Sequence, residues 1–94
     1  MELFRDKSDK DTLTVTLEQL EDGSIKLYYH DLGQSARELH GDSDYEAWLT
    51  VPQDEVSKLT MALLAERFTG NSKALSELQA LCKAHDIEAE FGCF

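Results

Sequence analysis

The chain has 94 residues, of which 41% are hydrophobic, and 19 acidic against 9 basic side chains give it a formal net charge of −10. This length suits one domain with a single small core. The negative charge disfavours direct binding to nucleic acids and anionic membranes, which carry charge of the same sign, and favours a basic partner. We therefore expect one domain over residues 1–94, with neither a nucleic-acid nor a membrane partner.

The sequence also indicates a cytoplasmic protein. No apolar run is long enough to span a bilayer, and no secretory signal is apparent. Cys82 and Cys93 are the two cysteines. One cysteine pair in a chain without an export signal is typical of reduced thiols in the cytosol.

A β-hairpin is predicted in the first half of the chain, after a polar segment, residues 1–11, that we expect to be a frayed lead-in. Apolar and polar side chains alternate over Thr12–Leu20, which is the pattern of a half-buried strand. Residues 21–24 contain Asp-Gly, a strong hairpin signal. Ile25–Asp31 alternates again and forms the second strand.

The next segment predicts a loop and a third strand. Gly33 and Gly41 bracket a stretch with too few apolar residues to anchor a helix, so we expect a loop over Leu32–Ser43. Tyr45–Val51 alternates as a strand, with Trp48 on the face opposite its apolar side chains.

The second half of the chain predicts two helices and a last strand. Pro52 suits the first turn of one helix, and Gly70 suits its end. Ser72 suits the N-cap of a second helix that ends near His85. Alternation over Ile87–Phe94 predicts a fourth strand, beside either the first or the third.

These elements predict an α+β two-layer sandwich in the order β-β-β-α-α-β. Its antiparallel four-stranded sheet carries two helices on one face and leaves the other face uncovered.

The uncovered face is predicted to combine aromatic side chains with carboxylates. Tyr and Trp give a large contact area at low entropic cost, and carboxylates would pair with Lys or Arg of a partner. The candidate partner-binding residues are Glu18, Tyr28, His30, Asp42, Asp44, Glu46, Trp48, Glu88 and Glu90. Two alternatives remain open: the aromatic pair only stabilises the sheet, or this face is the seam of a homodimer.

No catalytic, cofactor or metal site is predicted. The three carboxylates between residues 42 and 46 lack the ligand spacing and fixed glycine of an EF-hand, and no cluster of basic residues accompanies them to hold a phosphate. Ser43 lacks the second glycine of a nucleophile elbow. His30 is expected to be solvated. A metal-dependent enzyme is the least favoured class, and we expect no enzyme.

One part of the chain resembles a known group. Asp31-Leu32-Gly33, then GDSDYE at Gly41–Glu46, then an alternating strand into Val51-Pro52 resembles small acidic bacterial proteins. In size, charge and layout, Thr12–Phe94 is similar to immunity proteins of toxin–immunity systems, including those of contact-dependent growth inhibition.

The resemblance implies a role as an inhibitor. An immunity protein binds and neutralises a cognate toxin, here expected to be a nuclease with a basic substrate cleft, and needs no catalysis of its own. These proteins share no fixed binding residues, so the resemblance assigns none. The alternative is a structural or regulatory homodimer that uses the open sheet face, and the chain is expected to be a monomer or a homodimer.

Overall fold

A computed structural model describes all residues from Met1 to Phe94. The chain divides into two compact units, Met1–Leu59 and Thr60–Phe94. None of its helices has the length and apolar character needed to cross a membrane.

The first unit is built on a four-stranded antiparallel sheet whose strands follow one another in chain order. The strands are β1 (Glu2–Lys7), β2 (Asp11–Gln19), β3 (Ile25–Gly33) and β4 (Asp44–Val51). The helices are α1 (Gln34–His40), α2 (Val56–Phe68), which a short 3-10 turn over Gln53–Glu55 precedes, and α3 (Ala74–Ala84). The predicted α+β class and an antiparallel sheet of four strands are confirmed, although the fourth strand is β1 and not the predicted C-terminal one.

The predicted hairpin is present as β2 and β3. Its turn places Gly23 at φ 90°, a left-handed conformation that glycine adopts without steric cost. The Leu20 amide donates to the Ser24 carbonyl at 2.8 Å, and the Ser24 amide donates to the Asp22 carboxylate at 2.9 Å. These bonds fix the register in which Thr16 pairs with Tyr28.

The expectation of a frayed lead-in over residues 1–11 is wrong, because Glu2–Lys7 forms β1. This strand pairs with β2, and Leu17 exchanges hydrogen bonds with Met1 at 2.8 and 3.0 Å. Every residue of β1 is exposed. An edge strand with no buried face needs no alternation of apolar side chains, so its sequence carries no period-two signal.

The loop predicted over Leu32–Ser43 contains helix α1. The Asp11 carboxylate at the start of β2 accepts a hydrogen bond from the Ser35 amide at 2.8 Å and so caps the first turn of α1. Ala36 is its buried side chain, and Gly41, at φ 82°, ends the helix. A loop is predicted because this segment has no apolar stripe to anchor a helix. The helix is stabilised instead by a cap from a distant strand.

The last strand predicted over Ile87–Phe94 does not form. α3 ends in a turn in which Asp86 has φ 54° and the Ile87 amide donates to the Cys82 carbonyl at 2.8 Å, and no regular structure follows. The position beside the first predicted strand is occupied by β1 instead. Glu88 and Glu90 therefore do not lie on a strand, and their predicted place on the sheet face is wrong.

The start of α3 also differs from the prediction in detail. Asn71, rather than Ser72, organises it: its side-chain oxygen accepts a hydrogen bond from the Lys73 amide at 2.9 Å, and its side-chain amide donates to Glu77 at 2.6 Å. The two predicted helices are otherwise present as α2 and α3, with Gly70 at φ 80° between them.

Candidate functional site

The register of β3 and β4 gathers aromatic and charged side chains on one face of the sheet. Tyr28 pairs with Trp48, and His30 pairs with Glu46. Side chains two residues apart on a strand share a face, so Asp44 lies on the same side as Glu46. We call this surface the aromatic face: it comprises Lys26, Tyr28 and His30 of β3 and Asp44, Glu46 and Trp48 of β4.

Two stacked rings form the middle of the aromatic face. The Tyr28 and Trp48 ring centroids are 6.3 Å apart, with 23° between the ring planes. The Lys26 ammonium nitrogen lies 5.3 Å from the Trp48 centroid and 5.6 Å from that of Tyr28, within reach of a cation–π interaction. Trp48 nevertheless keeps 60% of its surface exposed. The stack thus stabilises the sheet and still presents an indole to solvent.

His30 lies between two carboxylates at the other end of the aromatic face. Its Nε2 atom is 2.7 Å from Asp44 Oδ1 and 3.6 Å from Glu46 Oε1. The imidazole is half-buried, whereas both carboxylates are more open to solvent. The sequence suggested a solvated histidine, because its neighbour Asp31 points to the opposite face; the partner instead comes from β4.

Glu46 connects this charged end to the aromatic stack. A hydrogen bond from the Tyr28 hydroxyl to Glu46, together with burial and the negative charges of Glu46 and Asp44, raises the pKa of Tyr28 to about 12. The negative potential of the aromatic face therefore acts on its own tyrosine, and the same potential attracts a cation.

The other predicted site residues are divided between the two units of the chain. Asp42 precedes β4 and accepts a hydrogen bond from the Asp44 amide at 3.1 Å, so its carboxylate orients the entry to the strand. Glu18 is exposed on β2 and pairs in register with Lys26. Glu88 and Glu90 follow α3 in the second unit.

Lys26 is the residue of the aromatic face that was not predicted as part of a site. Alternation along β3 places it on the same side as Tyr28, but the predicted binding chemistry rested on carboxylates and aromatic rings. Its contact with both rings depends on the side-chain conformation as well as on the register of the strands. The sequence pattern indicates which face Lys26 lies on, but not that its ammonium group lies over the rings.

The opposite face of the sheet carries a second polar group under α1. The His40 and Tyr45 rings stack at 3.7 Å, and His40 Nε2 is 4.0 Å from the carboxylate of Asp31, which is only 4% exposed. A cavity of about 230 Å³ adjoins Asp31, with Asp11 and Tyr29 among its walls. Asp11 is engaged in capping α1, so this group serves the packing of the helix on the sheet.

Comparisons with protein-family models, curated proteins and solved structures found no match for the chain. The site is therefore interpreted from its own chemistry. Two carboxylates, an imidazole and a stacked indole can bind a cationic group by ion pairing and by stacking.

Proposed function

We propose that the chain is a non-catalytic immunity protein that neutralises a cognate bacterial toxin, with the aromatic face as its binding surface. The observation that carries this proposal is the exposed indole of Trp48, stacked on Tyr28 and flanked by Glu46 and Asp44. Trp and Tyr are enriched among the residues that dominate binding energy at protein interfaces.

The chemistry of the aromatic face favours a basic partner. Asp44 and Glu46 would accept hydrogen bonds from arginine or lysine side chains, and a guanidinium group can stack on Trp48. The net charge of −10 would steer such a partner and accelerate its approach. A nuclease toxin has a basic cleft for its substrate, so occupation of that cleft would exclude the nucleic acid. The inhibitor would act where the toxin acts, which we propose is the cytoplasm.

The proposal is tested on the toxin encoded by the adjacent gene. The test asks whether this protein binds that toxin and whether it protects cells from it. Purified protein is mixed with the product of the adjacent toxin gene, and the dissociation constant and residual toxin activity are measured. We expect tight binding that weakens as salt is added, because rim charges dominate the association rate. The proposal would be rejected if no toxin-like gene lies beside this one and if this protein does not protect cells from a toxin.

A matched pair of variants locates the binding surface. Asp44→Asn with Glu46→Gln removes two charges from the aromatic face, whereas Asp54→Asn with Glu66→Gln removes two charges elsewhere. We expect only the first pair to weaken the complex strongly. Equal effects would mean that total charge, and not the aromatic face, determines affinity.

The alternative homodimer stays a prediction. A twofold axis through the aromatic face would bring Asp44 and Glu46 of one copy near those of another, and like charges in contact oppose association. Light scattering tests it directly: a stable dimer that dissociates with Trp48→Ala would favour this alternative over a free binding face.

A further inference from the structure

His30, Asp44 and Glu46 together form a donor set that can surround a metal ion. Each offers one ligand atom, and the three atoms lie within 4.8 Å of one another. The imidazole nitrogen is 2.7 Å from Asp44 and 3.6 Å from Glu46. In a tetrahedral zinc site the ligand atoms are about 3.3 Å apart, since each bond is about 2.0–2.2 Å long. Small side-chain rotations would therefore bring all three into coordination.

The backbone that holds these side chains is regular sheet. His30 and Glu46 are directly paired across β3 and β4, and Asp44 lies two residues before Glu46 on the same strand. Ligands on paired strands are positioned by the hydrogen-bond ladder, so metal binding would need little ordering of the chain.

The donor chemistry selects the class of metal. One imidazole nitrogen with two carboxylate oxygens suits first-row transition metals such as Zn²⁺, Co²⁺ or Mn²⁺, whereas Mg²⁺ and Ca²⁺ prefer oxygen ligands alone. A neutral imidazole and two carboxylates carry two negative charges, which a divalent ion balances. We propose that His30, Asp44 and Glu46 bind a divalent transition-metal ion through three protein ligands and leave its remaining positions open. The geometry of this site does not depend on the proposed toxin partner, but the metal and the toxin would use the same carboxylates and so would compete for them.

The proposal is tested by calorimetric titration of the full chain with Zn²⁺. Because thiolates also bind zinc, the titration uses a Cys82→Ser, Cys93→Ser background in which the aromatic face is unchanged. We expect one ion per chain, no comparable binding of Mg²⁺, and a lower affinity in His30→Gln or in Asp44→Asn. The affinity should fall by at least the factor of about 10 to 100 that loss of an outer-shell partner costs. Two matched controls that are not among the three ligands, His85→Gln and Asp9→Asn, should bind as the parent does.

A spectroscopic measurement keeps the proposal testable if a variant unfolds. In the parent background, Co²⁺ should shift the ring resonances of His30 far more than those of His40 and His85. Three results would overturn the assignment. They are a parent protein that binds neither Zn²⁺ nor Co²⁺, a folded His30→Gln variant that binds as tightly as the parent, and larger shifts at another histidine.

Discussion

The indole of Trp48 and the phenol ring of Tyr28 lie opposite each other across β3 and β4, 6.3 Å apart and nearly parallel at 23°. This cross-strand pair has two consequences for function. It holds the indole in one orientation, which lowers the entropy lost when a partner binds, and it leaves that indole 60% exposed. The same side chain can therefore stabilise the sheet and remain open to a partner.

Replacement of Trp48 by alanine should therefore affect binding more than folding. Loss of an aromatic hot spot costs about 2 kcal/mol or more of binding free energy, roughly a 30-fold rise in the dissociation constant. Loss of the cross-strand pair should cost about 0.2–1 kcal/mol of unfolding free energy. Calorimetry of the complex and thermal unfolding measure the two effects, with Trp48→Phe as the control that keeps a ring. Equal affinity of Trp48→Ala and the parent would remove the indole from the interface.

Lys26 should oppose the binding of a basic partner. Its ammonium group stands over both rings and carries the same charge as the partner's arginine or lysine side chains. We expect Lys26→Gln to tighten the complex by about 0.5–1 kcal/mol, roughly two- to fivefold, because one like charge is removed. Thermal stability should fall slightly, since the cation–π interaction is lost. Weaker binding by Lys26→Gln would mean that the partner contacts Lys26 with an acidic group.

The Tyr28 hydroxyl should ionise unusually late. Its pKa is raised from 10.0 to about 12, chiefly by the hydrogen bond to Glu46. Because the folded-state pKa exceeds the unfolded value, the stabilisation is complete below pH 10.0 and disappears as the pH rises towards 12. Tyrosinate absorbance of the metal-free protein measures this titration. Tyr28→Phe should remove the late phase and Glu46→Gln should move it to lower pH; a normal pKa in the parent would contradict the hydrogen bond.

The cap that Asp11 provides should make α1 sensitive to acid. The hydrogen bond from the Ser35 amide lowers the pKa of Asp11 below its usual 3.8. A lowered folded-state pKa gives stabilisation that is present above 3.8 and is lost as the pH falls through the lower folded value. We expect Asp11→Ala to unfold at a lower temperature at neutral pH, with a smaller difference in acid. Asp9→Ala is the exposed control, and an equal loss in both variants would exclude a specific cap.

Gly33 should tolerate no side chain, because it joins β3 to α1 at φ 119°. A Cβ atom there would overlap the Lys10 carbonyl oxygen and crowd Asp11. We expect Gly33→Ala to lower the free energy of unfolding by about 2 kcal/mol or more, since steric overlap adds to backbone strain. Gly41→Ala, at φ 82° but in open space, should cost about 1 kcal/mol. Denaturant unfolding compares them, and equal costs would place the effect in backbone strain alone.

Alternation of apolar and polar side chains predicts three of the four strands of the sheet. β2, β3 and β4 all follow it, and so the Tyr28–Trp48 pair could be placed on one face from the sequence pattern alone. β1 could not be predicted, because both its faces are exposed. The false strand at Ile87–Phe94 shows the converse: alternation does not by itself make a strand, because this segment pairs with no other strand although one edge of β4 is unpaired.

Features that depend on contacts between distant residues could not be predicted from the sequence. α1 forms because Asp11 caps it across 24 positions of the chain. His30 and Asp44 are 14 residues apart and meet only in the register of β3 and β4. Neither contact can be recognised from residues that are neighbours in the sequence. Sequence patterns around Asp11 and His30 therefore indicate solvated side chains, and they identify no partner for either.

Contact between the aromatic face and the toxin can be measured directly at Trp48, because it is the single tryptophan of the chain. Its indole N–H gives one resonance in the isotope-labelled protein, and an unlabelled toxin adds no signal. We predict that the adjacent toxin shifts or broadens this resonance at stoichiometric ratio, together with the amide resonances of β3 and β4. Binding that changes other resonances and leaves the Trp48 indole unchanged would show that the toxin binds elsewhere on the chain.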